Sequence, residues 1–84
     1  MTEDNTFEQL KYRIMVNTNG TRSYRDNEGR LHREDGPAVV MSNGYKAWYK
    51  HGLRHREDAP ARMWSDGRVE YWINGMSVVD RNGE

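Results

Sequence analysis

Apolar and polar side chains alternate near the start of the chain, where Leu10, Tyr12, Ile14 and Val16 are interleaved with Lys11, Arg13 and Met15. A period of two puts one set on each face of a strand and predicts a β-strand over Leu10 to Thr18. Shorter alternating segments predict further strands at Thr21 to Arg25, Ala38 to Ser42, Tyr45 to Lys50, Ala61 to Ser65 and Arg68 to Ile73. Asn19-Gly20, Asn43-Gly44 and Asp66-Gly67 separate them in pairs. Such dipeptides between alternating runs are strong hairpin signals, and two-residue type I′ turns, with positive φ at both central residues, are expected there. His51-Gly52 and Asn74-Gly75 mark second turns, and Pro37 and Pro60, which lack a ladder donor, close wider connections. Thr6 and Gln9 have the spacing of a capping box. The alternation that follows favours a strand, and no helix is required.

Self-comparison explains the recurrence of turns. His32-Arg33-Glu34-Asp35-Gly36-Pro37-Ala38 returns 23 residues later as His55-Arg56-Glu57-Asp58-Ala59-Pro60-Ala61. At the same offset Ser42-Asn43-Gly44 answers Ser65-Asp66-Gly67, Trp48-Tyr49 answers Tyr71-Trp72, and His51-Gly52-Leu53 answers Asn74-Gly75-Met76. A worn earlier copy runs through Thr18-Asn19-Gly20, Tyr24 and Gly29-Arg30-Leu31, with about one residue inserted near Asp26-Asn27-Glu28. A fixed period decides architecture before any local assignment. The expected fold is all-β: three β-hairpins in a meandering antiparallel sheet of about six strands. One domain covers residues 1–84, with residues 10–76 as β-hairpin repeats between an N-terminal tail, 1–9, and a C-terminal tail, 77–84.

With two-residue turns, one face of the middle hairpin would carry Ala38, Val40, Ser42, Tyr45, Ala47 and Tyr49, and the other Val39, Met41, Lys46, Trp48 and Lys50. The third hairpin would split into Ala61, Met63, Ser65, Arg68, Glu70 and Trp72 against Arg62, Trp64, Val69, Tyr71 and Ile73. Neither face is cleanly apolar, so a second copy of the protein is one expected cover. A homo-oligomer, in the simplest case a dimer, follows from that reasoning.

Composition narrows the function. With 84 residues the chain buries only about 60% of its unfolded surface, which leaves little room for a deep cleft. There is no Cys, hence no disulfide framework and no zinc-thiolate cluster, and a reducing compartment is favoured. The longest apolar run, Ala38 to Met41, is far short of the roughly 20 residues that span a bilayer, and the acidic start lacks the features of a signal peptide. A cytoplasmic protein with no membrane partner is expected. Lys plus Arg equal Asp plus Glu at 13 each, which removes the simple electrostatic argument for nucleic acid.

The period, the paired turns and the aromatic positions resemble MORN-type two-stranded repeats. The closer likeness is to variants with an H-R-x-D-G-P-A signature found in small proteins of bacteriophages and large DNA viruses. The resemblance covers roughly Asn19 to Met76 and departs from the pattern at Ala59, which replaces a glycine, and in the first copy. It implies a scaffold or binding surface with no shared chemistry. Such an origin implies a phage-encoded anti-defence factor in the bacterial host cytoplasm, which inhibits a bacterial defence or toxin protein.

The duplicated His32/Asp35 and His55/Asp58 could in principle ligate a metal. Their duplication is explained more simply by residues that close each repeat, with Asp bonding turn amides and Arg33 and Arg56 pairing with carboxylates. His32, Arg33, Asp35, Pro37, His55, Arg56, Asp58 and Pro60 are therefore read as a structural motif, and no metal or cofactor is expected. Catalysis needs an asymmetric, water-excluding constellation, and here every candidate His is repeated. A non-enzyme without a small-molecule substrate is expected. The composition of three Trp, five Tyr and ten Arg is that of interface hot spots. Trp48, Tyr49, Trp64, Tyr71, Trp72, Arg54, Arg56 and Arg62 are the candidate partner-binding residues, for a bacterial host protein. The alternative partner is RNA or single-stranded nucleic acid, stacked on the rings while Arg22, Arg25, Arg30, Arg54, Arg56, Arg62 and Arg68 meet phosphate.

Overall fold

The computed structural model describes residues 11–78, and in it the alternating segments form nine short strands. They are β1 (Arg13–Val16), β2 (Arg22–Arg25), β3 (Val39–Val40), β4 (Lys46–Ala47), β5 (Tyr49–Lys50), β6 (Leu53–Arg54), β7 (Arg62–Met63), β8 (Val69–Ile73) and β9 (Met76–Val78). Seven of them make one antiparallel sheet in the order β1-β2-β3-β4-β7-β8-β9, and β5 and β6 form a two-stranded ribbon. The fold is all-β, a meander of hairpins, 52 × 24 × 19 Å in extent. No helix among the described residues is long and apolar enough to cross a membrane. Leu10 and the Thr6 to Gln9 spacing lie outside the described residues. The two extra strand pairs arise because the second turns, at His51-Gly52 and Asn74-Gly75, are themselves tight hairpins.

The two turn types are assigned the other way round from the sequence expectation. At Asn43-Gly44 only the glycine is left-handed (φ 99°). Gly44 N–H donates to Met41 O and Met41 N–H to Tyr45 O, so the loop has three residues and ends in a glycine bulge. Asn43 stays on the ordinary side of φ and uses its side chain instead, accepting the Tyr45 N–H at 2.9 Å. Asn19 and Asp66 do the same for Thr21 and Arg68. The two-residue turns are those at His51-Gly52, between paired Lys50 and Leu53, and Asn74-Gly75, between paired Ile73 and Met76. There the non-glycine residues do have positive φ, 47° and 49°.

One extra loop residue shifts the register by one and exchanges faces. Val39, not Val40, pairs with Ala47, and Val40 pairs with Lys46; Met63 pairs with Val69 and Arg62 with Glu70. The face assignments of the sequence analysis are corrected accordingly. One row across the sheet reads Met15, Ser23, Val39, Ala47, Arg62, Glu70, and the neighbouring row, on the opposite face, reads Val16, Arg22, Val40, Lys46, Met63, Val69.

The core is small. Its buried residues are Tyr12, Tyr24, Ala38, Ala47 and Ala61, with Asp26 and His32 beside them. The three alanines let strands and loops approach, and Tyr12 meets Tyr24 edge to face at 5.8 Å, a favoured aromatic geometry. Arginines supply what aliphatic side chains do not: the Arg33 guanidinium lies 3.8 Å from the Tyr24 ring centroid and that of Arg56 3.9 Å from Trp48.

Candidate binding surface

Each H-R-E-D loop is closed by the same bonds. Arg33 N–H donates to Tyr49 O and Arg56 N–H to Trp72 O, while Arg33 Nη1 and Arg56 Nη1 turn back to Pro37 O and Pro60 O. The histidines of these loops take the amides of the second turns. His32 Nδ1 accepts the His51 N–H and His55 Nδ1 accepts the Asn74 N–H, both at 2.9 Å. Each Nε2 faces a glutamate of its own loop, Glu34 or Glu57, at 3.4 Å. Asp35 instead accepts from Arg33 Nε at 3.0 Å and the Tyr12 hydroxyl at 3.3 Å, and that hydroxyl receives the Glu34 N–H. The expected pairing of Arg33 with a carboxylate is present. Among the described residues no three His, Cys, Asp or Glu side chains converge as a metal site.

A cheap substitution probes these loops. A Cβ added at Gly36 would lie 3.1 Å from Arg33 Cζ, the end of a flexible side chain. The second loop already carries Ala59 at that place, and its Arg56 still stacks on Trp48. Gly36→Ala is expected to change stability by less than about 1 kcal/mol in urea unfolding. A loss above about 2 kcal/mol would contradict this account of the loop.

Seven of the eight candidate partner-binding residues fall into two groups. Trp48, Tyr49 and Arg56 line an open groove of about 480 Å³ between the two loops, facing Arg33, Glu34, Asp35, Lys50, His55 and Glu57. Trp64, Trp72, Arg54 and Arg62 join a polar-aromatic strip. Arg62 donates from Nε to the Tyr45 hydroxyl at 2.9 Å and from Nη1 to Glu70 at 3.2 Å, and the Trp72 indole N–H donates to the same Glu70 oxygen. The Trp72 indole bond, helped by Arg62 and Arg54, holds the Glu70 carboxyl below its ordinary value against the opposing cost of burial. Arg62 and Arg68 each lie 4.6 Å from the Trp64 ring centroid, and Tyr45 is 5.6 Å from it. Arg54 links the groups: its Nη2 donates to the Tyr49 hydroxyl at 2.8 Å and its guanidinium sits 4.6 Å from Trp72. Tyr71 is half-buried in β8, next to Trp72 and so on the opposite face.

Sequence reasoning missed Tyr45 and Glu70 as members of the strip and named Arg68 only as a phosphate contact. Their signal was the three-residue loop, which brings Tyr45 beside Trp64. It also missed a cluster at the first second-turn. Asp26 accepts the N–H groups of Glu28 and Arg30, Arg30 Nε, and His51 Nδ1 at 2.8 Å. The His51 ring stacks on His32 at 3.9 Å. The His51 bond is the main cause that holds the Asp26 carboxyl well below its ordinary range.

Of the arginines proposed to meet phosphate, most already have partners in the chain. Arg25 Nη1 donates to Gly29 O, Arg30 pairs with Asp26 and Glu28, Arg62 with Glu70 and Arg68 with Asp66. The net charge of zero also divides unevenly: residues 11–78 hold twelve Lys and Arg against eight Asp and Glu, and the remaining residues hold one base and five acids. Comparison with protein-family models, with curated proteins and with solved structures finds no match to this chain.

Proposed function

We propose that this chain is a non-enzymatic protein-binding module whose partner surface is the groove between the two H-R-E-D loops. The observation that carries the reading is the meeting of Trp48 and Tyr49 with charges of both signs on its walls: Arg33, Lys50 and Arg56 against Glu34, Asp35 and Glu57. Aromatic anchors within a mixed polar rim suit a protein segment. A phosphate backbone would meet three carboxylates there, which disfavours nucleic acid. The MORN-like resemblance adds the biological reading of a phage-encoded inhibitor acting on a bacterial defence or toxin protein in the host cytoplasm.

Lys50 is exposed and lines the groove, while Lys46 is exposed on the sheet away from it. Lys50→Glu is expected to abolish capture of a bacterial protein from lysate, with Lys46→Glu and wild type capturing it equally, and none of the three binding an RNA oligomer at low salt. Capture indifferent to Lys50→Glu removes the groove from the reading. RNA binding that weakens steeply with salt replaces the protein partner by nucleic acid.

A further inference from the structure

Among the described residues the sheet ends in two half-made junctions that fit one another. Inside the chain, each junction between hairpins pairs the start of a long strand with the first strand of the next hairpin. Arg22 and Ser23 pair with Val40 and Val39, and Lys46 and Ala47 pair with Met63 and Arg62. Beside each junction the loop tips nest. The Cβ position of Gly20 is 3.4 Å from Ser42 Cβ, and that of Gly44 is 3.1 Å from Ser65 Cβ. Ser42 Oγ also donates to Asn19 O at 3.2 Å.

Among the described residues the series of junctions ends at β8. Val69 and Glu70 hold β7 on one side; on the other side β9 covers only Tyr71 to Ile73, so among the described residues the Val69–Glu70 stretch has no strand there. No described atom lies within 4 Å of the Cβ position of Gly67 at the adjoining loop tip. At the other end of the sheet β1 has β2 on one side and no described strand on the other. β1 is the first strand of its own hairpin, the counterpart of β3 and β7. Its Met15 and Val16 are exposed at 57% and 59%, and Val69 is exposed at 41%.

We propose that β1 of a second copy adds to the free side of β8, repeating between molecules the junction made twice within one. The register follows from the internal junctions: Val16 of the added copy opposite Val69, Met15 opposite Glu70, and Thr18 seated over Gly67 where Ser42 and Ser65 sit over Gly20 and Gly44. The hydrogen-bond alternation agrees. Asn17 N–H and Trp64 N–H bond within their own hairpins, and since inward and outward pairs alternate, the N–H groups of Val16 and Val69 both point to the sides on which no described strand lies. The two edges differ, so the contact is head-to-tail and the assembly extends beyond a dimer, as a ring if the rotation closes and as an open chain if it does not. This inference does not rest on the groove reading.

Sedimentation velocity from micromolar to millimolar concentration tests it, with Val16→Pro and Val69→Pro, each of which removes one outward N–H and no internal bond. Wild type is expected to grow with concentration beyond a dimer. Each variant alone is expected to stay monomeric, and an equimolar mixture to form one-to-one dimers, because each retains the edge the other lacks. Wild type that stays monomeric at millimolar concentration overturns the proposal, as does self-association of Val69→Pro through β1 alone. Should a proline variant lose its strand signal in circular dichroism, hydrogen exchange of wild type decides instead. Amides of Val16 and Val69 are expected to slow by about tenfold or more with concentration, and unchanged rates overturn the inference.

Discussion

Replacing Tyr24 with alanine is expected to cost about 3–5 kcal/mol, the largest single loss in the chain. At roughly 0.05–0.15 kcal/mol per residue, a protein of this size holds about 4–13 kcal/mol in all, so the loss takes a large share of the total and at the lower end of that range unfolds the variant. The reason is concentration of contacts. Tyr24 is 4% exposed, carries the Arg33 guanidinium on its ring and takes the edge-to-face contact with Tyr12. Its backbone N–H donates to Ala38 O and its carbonyl accepts the His32 N–H, so its strand and the first loop lose their common support together. Tyr24→Phe keeps the ring and is expected to cost less than about 1 kcal/mol. Urea unfolding of the two variants measures the difference; equal losses would show that the ring is not the centre of the core.

Acid should act through Asp26. Its carboxyl, held well below its ordinary value of 3.8 chiefly by the His51 bond, gives stability that is fully present above that value and is lost as pH falls towards the depressed folded value. The melting temperature of wild type should therefore fall as pH drops below about 4. Asp26→Asn removes the charge yet leaves one amide oxygen for the turn, so it is expected to melt well below wild type at neutral pH and to lose much less on further acidification. The loss at neutral pH arises because Arg30 Nε and His51 Nδ1 both bond Oδ2, which becomes an amide nitrogen or is exchanged for one. Thermal melts of both proteins between pH 7 and pH 2 test this, and parallel curves would assign acid sensitivity to other carboxylates, of which Glu70 and Asp66 are also held low.

His51 shows how local signals combine. A histidine with φ 47° is an uncommon conformation, and here three contacts hold it: its N–H to His32, its ring on His32 and its Nδ1 to Asp26. None of these partners is closer than 19 residues in sequence. Asn74 adopts the same turn with the His55 cap, which is why His51-Gly52 and Asn74-Gly75 could be read as turns although one of them lacks the usual residue.

Much was legible without coordinates because it depends on short-range chemistry. Alternation placed six segments in strands, Gly with Asn, Asp or His placed five hairpin turns between Asn19 and Gly75, and the H-R-E-D repetition marked the loops that lie between hairpins; the turn from Asp26 to Arg30 was read only as an insertion. Trp48, Tyr49 and Arg56 were chosen as binding candidates from composition, and the structure brings those three to one groove. Register was not legible. Asn-Gly fits both a two-residue loop with Asn left-handed and a three-residue loop in which the Asn side chain accepts the next strand's N–H, and the choice moves every following side chain to the other face.

By itself, the sequence determined that this is an all-β chain of hairpins with duplicated loops, since strand period and turn residues act over a few positions and do not require the rest of the molecule. Only the tertiary structure decided which face each ring occupies, that arginine stacking on Tyr24 and Trp48 stands in for a larger aliphatic core, and that His32 and His55 cap turns 19 residues away. Those outcomes depend on distances between segments far apart in the chain. One added loop residue or one hydrogen bond there outweighs any local preference.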